Sequence, residues 1–465
     1  MIKTRFAPSP TGELHIGSAR SALFVYLFTK NRGGEFLLRI DDTDRERYVE
    51  GSVERIIESL RWLNITPDNI NNIVVQSTRV AIYNKYALEL IRNKHAYICV
   101  CSKEQLDKDR EEQIKKGLPP MYSGRCRDLE IKPGSAKKGE YVIRMKMPKE
   151  GIIKFKDLIR GEVEFDASLI DDQVLIKSDG YPTYHLATVV DDYEMKITHI
   201  IRAEEWLSST PKHITLFEMF EWIPPEFAHL PQVLAPDKSK LSKRHGATSV
   251  VEYKNLGYLP EAIMNFLALL GWHPQDEQEI FSRDDLIKEF NLLRVQKGGA
   301  IFDFNKLNWL NRKYIAEILS TEEIVRRGQK FIPDNLQLTP AIIEAVKTRL
   351  EKLSDLENAT SLFFVEPDYS RDMLLKDKEA STIKQNLETL LTIIIETNES
   401  NFNKKYLEEI ILAVIPDGKR GEYLWPLRVA LSGAKESPGP FEIMAGLHKT
   451  EVINRVKKAI NKLIN

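Results

Sequence analysis

Along the N-terminal part of the chain, the spacing of apolar residues alternates between two periods. A short β-like run over 3–7 stops at Pro8 and Pro10. PSPTG then reads as a turn, because both prolines and Gly12 interrupt regular structure. Over 18–30, Ala19, Ala22, Leu23, Tyr26 and Leu27 fall on one helical face, and Gly33-Gly34 ends that helix. The run EFLLRI at 35–40 reads as a buried strand, with the acids of DDTD at its C-terminal end. Strand, helix and strand in this order make a βαβ unit, the start of a parallel, Rossmann-like sheet. A helix over 49–63, a strand over 72–75 and a helix over 80–94 continue it.

The pattern changes near Tyr97. Alternating runs at 141–147 and 152–155 and a charged helix over 103–116 predict an α+β insertion. The β/α pattern resumes over 182–191 and 197–202, with a helix over 210–220. Beyond Leu307 only amphipathic helices remain, for example 340–353 and 452–463. The expected layout is a Rossmann-like α/β domain split into 1–96 and 181–235 around an insertion at 97–180. A connecting region at 236–310 and two all-α subdomains at 311–375 and 376–465 follow.

Composition narrows this picture only slightly. A chain of 465 residues needs several cores. A net charge of −1 means that any nucleic-acid contact must come from local basic patches. The start, MIKTRFAPSP, has no secretory apolar segment, and the apolar stretch around 262–272 is too short to span a bilayer. Three cysteines argue against a disulfide framework and suit a reducing cytoplasm. No internal repeat is present.

Two segments carry the candidate chemistry. In RFAPSPTGELHIGSAR, Gly17 opens the 18–30 helix, where free backbone N–H groups favour an anion, and His15 can donate to a phosphate oxygen. In KLSKRHG, Lys240, Lys243 and Arg244 place three cations on a short loop around Ser242, suited to closing on phosphates. Taken singly, the first suits a surface histidine equally well, and the second is more often a solvated basic loop. No P-loop pattern offers another route to a nucleotide.

Together and in this order, the two segments resemble the HIGH and KMSKS motifs of class I aminoacyl-tRNA synthetases, the second in its KLSKR form. RFAPSPTG, the strand ending in DDTD, PTYHLA and THIIRAEEW narrow the resemblance to the glutamyl-tRNA synthetase family. The catalytic half resembles it strongly, to roughly Asn311, and the helical half more loosely. Ser18 stands where the motif ends in histidine, and Asp41 where the family more often has glutamate. The resemblance implies a glutamate–tRNA ligase. It would use ATP and Mg2+, act on L-glutamate and tRNA(Glu), and be monomeric and cytoplasmic. The helical half is expected to bind the anticodon.

Carried over by position, Arg5, Ala7, Ser9, Asp41, Tyr184 and Arg202 are expected to hold glutamate. Ser9, His15, Gly17, Glu205, Trp206, Val233, Lys243 and Arg244 are expected around ATP, with His15, Lys240 and Lys243 stabilising developing phosphate charge. Arginine suits the carboxylates because its planar fork pairs bidentately. Cys99-x-Cys101 with Cys126 suggests a structural zinc if a fourth ligand exists. The family's histidine position is here Asp128, and Tyr122 stands where a related short enzyme has a tyrosine ligand; three free thiols are the other reading. Insertion residues such as Arg125 and Arg127 are candidates for the acceptor stem. Arg349 and Arg428 are candidates for tRNA contact in the helical half. Three rivals follow: a glutaminyl enzyme, a tRNA-modifying relative and a non-catalytic tRNA-binding paralogue; a non-discriminating ligase also charging tRNA(Gln) is a further alternative.

Overall fold

The structure is a computed structural model describing residues 1–135, 137 and 139–464, with the Lys243 side chain outside the described set. It divides into two compact units. One is Met1–Tyr253 with Ile263–Asp303, and the other is Lys254–Ala262 with Phe304–Asn465.

In chain order the strands of the first unit are β1 (Lys3–Phe6), β2 (Glu35–Ile40), β3 (Val74–Val75), β4 (Ala96–Cys99), β5 (Val142–Met145) and β6 (Ile152–Asp157). Then come β7 (Gly161–Asp166), β8 (Val174–Ile176), β9 (His199–Ala203), β10 (Glu226–Leu230), β11 (Val233–Leu234) and β12 (Ala300–Ile301). The main sheet runs β3-β2-β1-β9-β10-β6-β7. It is parallel except for the β6–β7 hairpin. The connections leave β1 towards β2 on one side and β9 on the other. The crevice beyond the C-terminal ends of β1 and β9 is therefore the switch point where an open α/β sheet binds its ligand.

Helix α1 (Ile16–Asn31) follows β1, and its residues from Ala22 to Thr29 are all buried, which explains its weak amphipathicity. Helices α2 (Ser52–Trp62), α3 (Val80–Arg92), α4 (Lys103–Lys115), α5 (Tyr184–Glu194) and α6 (Thr210–Met219) follow. A separate antiparallel sheet, β4-β5-β8, packs through Met145 and Leu175 onto a core with Tyr83, Leu186 and Phe217.

The β6–β7 hairpin lies inside 97–180, the stretch expected as an insertion. Yet it joins the main sheet, with Asp157 in register with Phe227 of β10. Its alternating burial marks a half-exposed edge, and alternation alone does not say which sheet an edge extends.

The second unit is helical, and among the described residues no strand follows Ile301. The helix expected over 340–353 stops early, as Pro340–Val346. Lys347–Arg349 and Leu353–Asp355 are separate 3-10 turns. The cause is tertiary. The Leu353 N–H donates to the Gly257 carbonyl, and Gly257, at φ +82°, has backbone of Ser354 only 2.5 Å from where a Cβ would stand. Chain that binds a distant carbonyl cannot also continue the helix.

Candidate active site

His15 is the N-cap of α1. Its Nδ1 accepts the Gly17 N–H at 3.0 Å. An acceptor Nδ1 leaves the neutral ring's proton on Nε2. Burial first, then Lys240, hold His15 below its ordinary pKa, with Glu252 opposing. The group is thus a neutral Nε2–H donor at pH 7, rather than one poised between charge states. Gly17 makes this fold-back possible: a Cβ there would meet His15 Nδ1 at 3.3 Å and Val233 Cγ2 at 3.9 Å.

The structure joins the first signature segment to the chain just after the second. His15 and Ser249 form an antiparallel bridge, with Ile16 N–H on the Thr248 carbonyl at 2.7 Å and Val250 N–H on Leu14 at 3.0 Å. Lys240 reaches Glu205 at 3.3 Å, both exposed. The Arg244 guanidinium donates to Ser239 Oγ at 2.9 Å, and Leu241 N–H to the Val233 carbonyl at 3.4 Å. His15, Gly17, Val233, Lys240 and Glu205 are therefore brought together. Trp206 instead packs on Tyr184, ring centroids 4.2 Å apart. Ser9 is exposed and Ala7 half-buried, both just beyond β1.

Around the switch point the expected residues are embedded in a buried ionic lattice that sequence reasoning missed. Arg5 is bidentate on Asp192, at 2.9 and 3.2 Å. Arg39 grips Asp41 at 2.6 and 3.1 Å and also donates to Asp192 at 2.6 Å and Thr188 at 3.0 Å. Asp191 takes Arg79, Tyr83 and Gln76. Burial alone would raise the Asp192 carboxyl, but Arg5 and Arg39 pull it below the ordinary range. Three acids face three arginines here, so this part of the site is charge-balanced. Arg5 Nη1 has no hydrogen bond among the described residues.

Arg202 is different. It is 6% exposed. Its partners are His229 Nε2 (3.1 Å), Tyr184 Oη (3.0 Å), His213 Nδ1 (3.3 Å), the Trp206 carbonyl (3.2 Å) and Thr210 Oγ1 (2.9 Å). Burial pushes the pKa of both histidines down, so every partner is uncharged. Burial also lowers the pKa of Arg202 itself. A buried guanidinium with no ion pair among the described residues is a cation waiting for an anion.

Signals for the missed residues existed. Tyr184, Thr188, Asp191 and Asp192 recur at helical spacing on α5, a polar stripe on an otherwise buried helix. Arg39 interrupts an apolar strand.

The cysteines converge. The thiols of Cys99, Cys101 and Cys126 lie within 4.8 Å of one another. Tyr122 Oη is 3.3 Å from Cys99 Sγ and 3.7 Å from Cys101 Sγ, and it accepts the Cys126 N–H at 3.0 Å. The Asp128 side chain stands apart from this group: it is 90% exposed and lies 4.0 Å from Lys146. Arg127 donates to Asp172 and to the Met147 carbonyl. Arg349 donates to the Ser437 carbonyl at 2.7 Å, and Arg428 lies half-buried on the helix Arg420–Ser432. No helix is long and apolar enough to cross a membrane among the described residues.

Residues 1–309 match the family described as tRNA synthetases class I (E and Q), catalytic domain, and 305–460 match an anticodon binding domain. The chain is 44% identical to a glutamate–tRNA ligase of Dehalococcoides mccartyi and to glutamate–tRNA ligase 2 of Thermoanaerobacter pseudethanolicus. Each alignment covers 99% of this chain and 98% of the relative. It resembles the crystal structure of a glutamate tRNA ligase from Elizabethkingia meningosepticum in complex with its amino acid, at TM-score 0.87 and 37% identity over 99% of both chains. The glutamate-tRNA synthetase of Elizabethkingia anophelis matches at TM-score 0.85 and 36% identity, again over 99% of both chains.

Proposed function

We infer, from a chain that belongs to the class I tRNA synthetases for glutamate and glutamine, that this protein activates L-glutamate with ATP and transfers it to tRNA(Glu). The glutamate α-carboxylate oxygen attacks the α-phosphorus of ATP and pyrophosphate leaves. A hydroxyl of the tRNA's terminal adenosine then attacks the acyl carbon and AMP departs. No side-chain nucleophile is needed, because positioning and charge stabilisation suffice.

The single observation that carries glutamate over glutamine is Arg202. Its buried, ion-pair-free guanidinium suits a side-chain carboxylate, whereas an amide would leave that charge uncompensated. Tyr184 accepts from Arg202 and keeps its own hydroxyl proton for the ligand. Arg5 is pre-neutralised by Asp192, and its spare Nη1 can orient the substrate without demanding a full charge. Asp41, drawn back onto Arg39, faces the α-ammonium through the shorter acid. On the ATP side, His15 Nε2–H and the positive end of the α1 dipole meet phosphate, while Lys240 and Arg244 close from the loop that also carries Lys243, whose side chain lies outside the described residues. Mg2+ would arrive on the triphosphate.

Three thiols and a phenol oxygen are a fitting donor set for zinc, with Cys99, Cys101, Cys126 and Tyr122 as ligands. When bound, the ion staples the segment between β4 and β5 and takes no part in the transfer. The half-buried Arg428 and the turn carrying Arg349 belong to the anticodon-binding half. The test is charging with labelled glutamate, using purified tRNA(Glu) and tRNA(Gln) separately. Charging of tRNA(Glu) alone supports a discriminating ligase, and charging of both removes the discrimination. Charging of neither, with ATP bound, points to a paralogue or a modifying enzyme.

A further inference from the structure

Behind Arg202, on the side away from the crevice, runs a polar chain that touches no reacting atom. His229 on β10 is the register partner of Arg202 on β9, so their side chains leave the sheet on the same face. His229 Nε2 accepts from Arg202 Nε at 3.1 Å, and its Nδ1 is 2.7 Å from Asp157 Oδ2. Asp157 ends β6, and its Oδ1 accepts the N–H groups of Ile159 and Arg160, both at 2.9 Å. Both Asp157 and His229 side chains are wholly inaccessible to solvent.

The hydrogen-bond roles are forced. A carboxylate only accepts, so Nδ1 of His229 carries the proton. Nε2 then carries a lone pair, with Arg202 Nε and the Thr210 hydroxyl both 3.1 Å from it, and this is the one tautomer that can receive an arginine N–H. Asp157 is anchored by two backbone donors and cannot turn away. The pair therefore fixes the Nε edge of Arg202. Thr210 and the Trp206 carbonyl hold Nη2, while Tyr184 at 3.0 Å and His213 at 3.3 Å hold Nη1, the edge on which a substrate carboxylate would share or replace a partner. Burial lowers the pKa of His229, so the imidazole stays neutral and adds no repulsion. A packed, satisfied polar core would need only that each group find a partner. Here one tautomer is imposed through a three-strand relay, β6 to β10 to β9.

We propose that Asp157 and His229 are positioning residues, which set the orientation of the Arg202 guanidinium for the side-chain carboxylate of the amino-acid substrate. The proposal rests on the reading of Arg202 as the receptor of that carboxylate. In Asp157→Asn, the amide donates to Nδ1, moves the His229 proton to Nε2 and sets it against the Arg202 N–H.

The experiment measures KM for glutamate and for ATP in tRNA charging, with wild type, D157N, H229Q and H229N in parallel. In D157N the KM for glutamate rises about tenfold, the equivalent of one hydrogen bond to a charged group, while the KM for ATP stays within about twofold. H229Q, whose amide oxygen can take the place of Nε2, keeps a near wild-type glutamate KM. H229N reaches Asp157 but not Arg202 and behaves as D157N. Equal rises in both KM values, an unchanged glutamate KM in D157N, or H229Q as impaired as H229N would overturn the proposal. If D157N does not fold, the contrast between H229Q and H229N decides alone. Failure of wild type to charge with glutamate sinks the functional reading itself, whereas normal wild-type charging with unaltered variants sinks only the positioning role.

Discussion

Replacing Arg202 with Gln removes a charge while keeping a polar side chain of similar reach. In the wild type the guanidinium is 6% exposed and surrounded by five uncharged acceptors. A substrate carboxylate would therefore make its contact to a desolvated cation that has no ion-pair partner among the described residues. Losing one partner of such a buried charge pair costs about 2–5 kcal/mol, which is roughly 30-fold to several-thousand-fold in affinity. The kcat/KM for glutamate in tRNA(Glu) charging should fall by that factor. Glutamine, whose amide gains nothing from the cation, should lose far less, so the glutamate-to-glutamine ratio falls with it. Added glutamate should raise the thermal midpoint of the wild type, and that stabilisation should disappear in the variant. Retention of glutamate kcat/KM within about threefold would refute the argument, because uncompensated charge would then have no bearing on substrate choice.

Asp192→Asn strips the shared counter-ion from Arg5 and Arg39 and should cost about 3 kcal/mol, lowering the thermal midpoint by about 5 °C. Because the folded Asp192 pKa is depressed, its contribution is full above the unfolded value and is lost as pH falls through the folded one. The midpoints of wild type and D192N should therefore differ at pH 7 and converge in acid. Gly17→Ala presses a methyl towards His15 Nδ1 at 3.3 Å; single-turnover adenylate formation should slow at least tenfold, and unchanged rates would sink the assigned histidine geometry. Tyr122→Phe should reduce metal retained after dialysis, measured by elemental analysis, while Asp128→Ala leaves it unaltered. The reverse outcome would restore Asp128 as the fourth ligand.

The sequence made local features legible and left non-local ones obscure. EFLLRI is read to the residue, since a short, mostly apolar run flanked by Gly-Gly and DDTD has few other fates. The motifs around His15 and Lys240 announce their chemistry, but nothing in either announces the bridge from His15 to Ser249. Arg39 was hidden because a charged residue inside a strand looks like an edge position until its partners on α5 are known. The helix over 340–353 failed at Val346 because Gly257, distant in sequence, captures Leu353. Asp128 and Tyr122 were equal on spacing, and only the turn placing the phenol under the Cys126 N–H separates them.

The membership of β6 and β7 in the main sheet also limits how the gene could be recombined. A chimera that swaps 97–180 as a cassette would exchange two sheet strands and the carboxylate behind the amino-acid pocket along with the zinc-type knuckle. The transplantable module is shorter. It lies between β4 and β5, carries Cys101, Tyr122 and Cys126 beside Cys99 at the end of β4, and leaves both sheets intact. Crossovers placed within that window should yield folded hybrids far more often than crossovers at the apparent boundary near 180.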